Sequence, residues 1–327
     1  MRYLRYLLIL LLASIAIWRI LPQLKDFREF LGLAENIKIP WLTIAIGAQI
    51  SQYIGDGWLS YLLLRIIGIK INFTKTTLIA SLNVFAAHIL PVGQAGVIAT
   101  VYYFYRKLGV DNQSLIFLTA AWSLSTGISL VIMLVISLMF LPKFPSLPIH
   151  LSTITLCLLL AIVLLVLVLL LFRKKLWPKI ETFLNKHSFA KEIFTFIANI
   201  KIHQNQIVNN KGHAGLSLVA GFIYYAGNIL TLTACFLAFG YTPNLSVVTF
   251  AYFISLIAGW VTLAPGGIGA TEATMLIIFN EFGIQPSLSI AAMLTFRLIS
   301  FWIPIPSGAL AFAILQRSFK KAKIEAR

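Results

Sequence analysis

Charge buried in hydrocarbon must be paired or put to use, and this chain offers three such groups. Arg297 stands ten residues into an apolar run that starts at 287, which on a helix puts it about 15 Å deep. Left unpaired there it would cost at least about 2.5–3.5 kcal/mol. Glu272 follows the break Pro265-Gly266-Gly267 and falls in the first turn of the next helix, where the helix dipole favours a carboxylate. The two are expected to pair, either as a gate that meets a ligand headgroup or as an ion pair that only fixes the fold. Asp56 is the third. With Gln49, Gln52 and Ser60 it recurs at spacings of three and four, so the four residues line one helical face. Such a stripe lines a water-filled cavity or joins helices; the aspartate favours the cavity. His88, just before another break, is read first as a packing residue and second as a proton carrier.

The elements that must hold these groups are membrane helices. Hydrophobic residues form 59% of the 327 and charged residues 11%, against about a quarter charged in soluble domains. Full spans are expected at about 4–21, 39–64, 114–141, 149–172, 213–239 and 287–315. The N-terminal run lacks a small-residue cleavage site and is read as an uncleaved span. The net charge of +16 flanks these runs. That speaks for topology and anionic lipid rather than nucleic acid. Cys157 and Cys235 sit in apolar runs as small core residues, and nothing calls for a metal or other cofactor.

Two broken segments, about 77–107 and 247–281, resemble each other. PVGQAGVIATVYYFYRKLG (Pro91 to Gly109) aligns with PGGIGATEATMLIIFNEFG (Pro265 to Gly283) at one offset of 174 positions. Pro91 meets Pro265, Gly93 meets Gly267 and Gly109 meets Gly283. The same offset carries 39–64 onto 213–238 and 114–141 onto 288–315. Each half-helix is expected to run about 14 residues, or about 21 Å, which reaches the midplane without crossing. As hairpins, the segments leave Arg65, Lys70, Lys75, Arg106, Lys107 and the basic 173–212 loop on the side of the N-terminus. Only Arg19, Lys25, Arg28, Lys38 and Lys143 then face the other way, as the positive-inside rule asks.

The expected fold is therefore all-α and integral to the cytoplasmic membrane, a single polytopic domain with both termini cytoplasmic. It comprises six full spans and two re-entrant hairpins, arranged as an inverted-topology repeat over about 39–141 and 213–315. Phe189, Ile193, Phe196, Ile197 and Ile200 make the 173–212 loop amphipathic, suited to the membrane surface or to packing on span ends. At the hairpin tips, Gly93, Gln94, Gly96, Gly266, Gly267 and Gly269 would let an anionic ligand approach helix N-termini. With Asp56, Gln52 and His88 they form the candidate substrate site.

The twice-repeated Pro-x-Gly break with its closing Leu-Gly or Phe-Gly resembles the transmembrane domain of lysylphosphatidylglycerol synthases. The sharpest match is APGGIGATEA (Ala264 to Ala273), with Arg297 in the next span. The resemblance covers about residues 5–315 and implies a role in moving lipid between leaflets. Relatives often carry Gly-Glu and then Arg where this chain has Gln94, Ala95 and Gly96, so no charge-based role is carried over there. Full-length synthases add a cytosolic aminoacyltransferase domain. This sequence ends at Arg327, and a stand-alone member without that enzyme activity is expected. Its ligands would be phospholipids, aminoacyl-lipids or polyprenyl-phosphate lipids. Two alternatives remain. One is a non-catalytic membrane partner of a lipid-modifying glycosyl- or aminoacyl-transferase. The other is a lipid-modifying enzyme using Asp56, His88 and Glu272 as acid and base groups.

The charge distribution makes a direct prediction. Cysteines placed at 201 and in the C-terminal tail should react only from the cytoplasm, and cysteines at 143 and 285 only from outside. Labelling of position 201 from outside intact cells would overturn this topology.

Overall fold

The structure, a computed structural model, describes residues 37–89, 94–142, 204–262 and 267–325, and these are all helical with short connections. The expected spans 4–21 and 149–172 and most of the 173–212 loop lie outside the described residues. In order, the helices are α1 (Ile39–Ile66), α2 (Phe73–Ile89), α3 (Gln94–Lys107), α4 (Asn112–Met139), α5 (Gln204–Asn209), α6 (Lys211–Ala238), α7 (Leu245–Thr262), α8 (Ala270–Glu281), α9 (Pro286–Arg297) and α10 (Pro304–Glu325). A π-helical turn, Leu298–Trp302, joins α9 to α10. By length and composition, four described helices can cross a membrane: Asn112–Met139, Lys211–Ala238, Leu245–Thr262 and Pro286–Phe319.

The order long helix, broken pair, long helix occurs twice. The long openers α1 and α6 have 28 residues each. The broken pairs run 17 then 14 residues, and 18 then 12. The first halves are thus longer than expected. No proline stands in either first half before Pro91 or Pro265, and the described helices extend to Ile89 and Thr262. Four helices end alike. Gly68, Gly109, Gly240 and Gly283 all have positive φ, and their N–H groups bond back to Arg65, Arg106, Leu237 and Asn280. The next residue bonds back one turn further, as Ile69 N–H does to Leu64 O, in the manner of a Schellman cap. Asp111 starts α4 by accepting from Ser114 N–H at 3.1 Å and from the Ser114 hydroxyl at 2.6 Å. Those donors hold its carboxyl below the ordinary carboxylate range.

Helices α1 and α6 pack antiparallel along their lengths. Lys38 N–H, before α1, donates to Ala238 O at the end of α6. Asn210 Nδ2, before α6, reaches Ile66 O at the end of α1. Between these ends glycine lets the backbones meet: a Cβ on Gly227 would stand 2.8 Å from Ala48 O, and one on Gly55 2.9 Å from Tyr224 N. Close approach through small residues is how helices associate where no hydrophobic force separates protein from lipid.

Two apolar cores flank this pair. One joins α6, α7, α8 and α9, with Ala45 from α1 and Leu130 from α4. The other joins α1, α2, α3 and the start of α4, with Ala311 and Leu315 from α10. The closing helix of each half therefore crosses over: α4 packs on α7, and α10 packs on α2. Gly308 of α10 lies against Phe85 of α2. The crossing explains why α10 continues past the expected end at 315, since Phe319 packs on the first core.

The Gly227 contact is testable. Gly227→Leu should lower stability in detergent by about 1–3 kcal/mol, the usual range for overpacking. Gly47→Ala, with open space around it, should leave stability unchanged or raise it slightly. Equal melting temperatures for Gly227→Leu and wild type would contradict the packing.

Candidate functional site

The second break is built by glycine. Gly267 has φ +67° and Gly269 φ +90°, a region that residues with a Cβ enter at a penalty. Gly267 also abuts Gly259 of α7: a Cβ there would lie 3.0 Å from Gly259 Cα and within overlap of Thr271 Oγ1. Thr271 Oγ1 donates to Gly267 O at 2.9 Å. Gly267 is thus committed to the contact between α7 and the start of α8. It was expected to let a ligand approach, but its space is filled. Gly269 has nothing within 4 Å of a built Cβ, and its neighbour Ile268 is 51% exposed.

Glu272, in the first turn of α8, holds two groups at once. Its Oε2 accepts from the N–H of Gly269, the residue that caps α8, at 2.6 Å. Its Oε1 meets Arg297 Nε at 2.5 Å. The first bond satisfies an N–H that the helix leaves open, and the second pairs the cation of α9. The expected pairing of Glu272 with Arg297 is therefore present. Both side chains stay partly accessible, Arg297 at 13% and Glu272 at 22%. Arg297 Cζ also lies 5.8 Å from the ring centre of Phe301.

Immediately after Arg297 the helix widens. Ile303 N–H bonds to Leu298 O, five residues back, at 3.0 Å. Pro304 has no N–H to give and its ring crowds the preceding turn, which a π turn accommodates. The widened turn exposes Leu298 and Trp302. Sequence reasoning took 287–315 as one plain span; Trp302-Ile303-Pro304-Ile305-Pro306 was the signal it passed over.

The polar stripe on α1 faces inward. Gln49, Gln52, Asp56 and Ser60 are all buried, while Ile44, Ile46, Ile50 and Ile54 are exposed. This is the pattern of a helix whose outer face meets lipid. Gln49 Nε2 donates to Gln52 Oε1. Trp122 Nε1 of α4 donates to Asp56 Oδ1 at 2.6 Å, and Asp56 is only 3% exposed. The stripe was expected to border a water-filled cavity; in this conformation it is enclosed. Gln49 Oε1 and the Tyr53 hydroxyl are nevertheless buried without a hydrogen-bond partner among the described residues.

A row of aromatic rings runs from Asp56 to Arg297. Trp122 packs edge-on to Tyr224 at 6.0 Å, Tyr224 to Tyr225 at 4.9 Å, Tyr225 to Tyr252 at 6.5 Å and Tyr252 to Phe296 at 6.4 Å. None of these rings was singled out in the sequence, because an aromatic in an apolar run reads as core. The first hairpin tip is less fully described. Gly96 is buried in the first turn of α3, where its carbonyl accepts from Thr100 Oγ1 at 2.8 Å. Gly93 and Gly266, and the side chains of His88 and Gln94, lie outside the described residues.

Comparison with known proteins gives the same frame. A UPF0104 membrane protein of Methanocaldococcus jannaschii is 28% identical over 311 residues, which is 90% of this chain and 92% of the relative. A UPF0104 membrane protein of Methanothermobacter thermautotrophicus is 33% identical over 90 residues, 28% of this chain and 27% of that one. One of Pyrococcus horikoshii is 28% identical over 105 residues, 32% of this chain and 31% of its own length. The family described as the lysylphosphatidylglycerol synthase TM region matches residues 6–308, so this integral membrane protein belongs to that family.

Proposed function

We propose that this protein moves a phosphate-bearing membrane lipid between leaflets, and that the Glu272–Arg297 pair receives the headgroup. The observation that carries the reading is the double engagement of Glu272. Its carboxylate occupies an anion position, between the N–H at the start of α8 and the guanidinium of Arg297. A phosphate carries the same sign of charge and offers more acceptor oxygens, so it competes for both donors. Its arrival releases Glu272 and with it the restraint between α8 and α9. Exposed Ile268, Leu298 and Trp302 around the pair give acyl chains an apolar border.

Several features support a route through the bilayer. The antiparallel course of α1 and α6, with the repeated helix order, supports an inverted-topology repeat. Helix α8 folds back on α7 through the contact of Gly267 with Gly259, which favours a re-entrant hairpin. On this reading the two hairpins enter from opposite faces and both termini are cytoplasmic. Phospholipid, aminoacyl-lipid and polyprenyl-phosphate headgroups share the phosphate chemistry.

The test is movement of labelled lipids of several headgroups in liposomes. Wild type should move phosphate-bearing lipid, and Arg297→Gln should slow it about tenfold or more, the scale of one lost charge-assisted hydrogen bond. Wild-type rates in Arg297→Gln would sink the proposal. Stability gives a second check. Glu272→Gln and Arg297→Gln should each destabilise by about 1–3 kcal/mol, less than a fully enclosed pair because both side chains are partly exposed. The double variant should lose less than the sum of the two; strictly additive losses would show that the pair is not coupled.

A further inference from the structure

We infer that Asp56 is a proton-binding site inside the membrane domain, and that the proton it takes up accompanies the anionic headgroup. The coupling to transport rests on the lipid-transport reading above; the site itself does not.

Asp56 is enclosed at the centre of the α1 stripe. Trp122 of α4 donates to it, Tyr224 of α6 packs edge-on to Trp122, and Tyr105 of α3 is buried in the same core as Leu59 of α1; the π turn, which also packs on α1, carries no ionisable side chain. From α2, the residue against this part of α1 is Thr77, at Gly57, which carries no charge. On α1 itself the neighbours are Gln52, Tyr53 and Ser60. Among the described residues no Lys, Arg or His lies within ion-pair distance of Asp56. A carboxylate enclosed with no cation beside it among the described residues avoids the penalty of buried charge by binding a metal cation or a proton.

The hydrogen bond decides between them. Trp122 Nε1 is a donor only, and it points at Oδ1 from 2.6 Å. A metal ion on Oδ2 would need several further ligands, the indole N–H cannot supply one, and among the described residues no group of three or more His, Cys, Asp or Glu side chains could hold one. A proton fits the arrangement, with Oδ1 keeping the indole bond and Oδ2 taking the proton, so that the carboxylate and one proton give the neutral acid.

The stripe also offers a path. Gln49 Oε1 and the Tyr53 hydroxyl are buried and unpartnered among the described residues. Gln52 and Tyr53 lie one turn from Asp56 on the same helix and Gln49 two turns, and Ser60 lies one turn beyond it. Buried polar atoms without partners are where an internal water is most readily accommodated, and waters so placed would relay a proton along α1.

Coupling follows from charge. An ionised Asp56 repels an anionic headgroup entering the same low-dielectric interior, and a protonated Asp56 does not. Proton uptake therefore favours headgroup entry, and proton release favours its departure.

The experiment is infrared difference spectroscopy on the full chain in liposomes, titrated with pH, for wild type, Asp56→Asn and Asp56→Glu. Wild type should show a carboxylic C=O band that grows as pH falls. The isosteric Asp56→Asn, which keeps an acceptor for Trp122, should lose it, and Asp56→Glu should restore a band. A wild-type spectrum unchanged by Asp56→Asn overturns the site. A parallel arm follows labelled lipid with and without a pH gradient, in buffers with and without sodium. Movement that responds to the gradient in wild type and ignores it in Asp56→Asn supports the coupling. Movement that ignores the gradient, or that requires sodium instead, overturns the coupling and leaves lipid transport standing. If wild type moves no lipid of any headgroup, the transport reading fails and the coupling with it, while the infrared titration still decides the site alone.

Discussion

The antiparallel contact of α1 with α6 is the constraint from which the remaining geometry follows. Two backbones meet at Gly55 and Gly227 with no room for a single methyl group. In hydrocarbon, apolar side chains gain little by leaving lipid for protein, so this close fit supplies the cohesion that burial supplies in water. It also turns α1 so that its isoleucines face outward and Gln49, Gln52, Asp56 and Ser60 face inward. A rotation of α1 by half a turn would bury the isoleucines and hand a carboxylate to lipid. The glycine seam and the polar stripe fix one another.

The two ionisable centres differ in kind. Glu272 and Arg297 form a pair with some access to the surroundings, joined to a backbone cap and to a widened helical turn. Asp56 is enclosed and held by a neutral donor. Between them stands a line of five aromatic residues from four elements, Trp122 on α4, Tyr224 and Tyr225 on α6, Tyr252 on α7 and Phe296 on α9. Rigid rings with few rotamers transmit displacement better than aliphatic chains that can repack. A shift of α9 against α7 would be felt at Tyr252 first and at Trp122 last.

Much of this was legible from the residue order. Arg297 and Glu272 declared themselves because charge in an apolar run must be accounted for, and their pairing needed only the knowledge that Glu272 opens a helix. Breaks at Pro91 and Pro265, and helix ends at Gly109 and Gly283, were equally readable, since few residues do what Pro and Gly do. Three things were not. The role of Gly267 depends on Gly259, which approaches it from a different helix. The enclosure of Asp56 depends on Trp122, sixty-six positions away, and a tryptophan in an apolar run carries no mark of its partner. The π turn arises from Pro304 acting on the turn before it, and period-based reading treats that stretch as ordinary helix.

The crossing of α4 onto α7 and of α10 onto α2 sets the order in which the molecule is made. The core that holds Leu59, Leu63 and Phe104 also contains Ala311 and Leu315, which are made after the whole second broken pair. The first core therefore cannot close along α2 until α10 is present. A chain cut before α10 would keep its other helices and leave the α2 side of the first core open. The first core is thus whole only when α10 is in place.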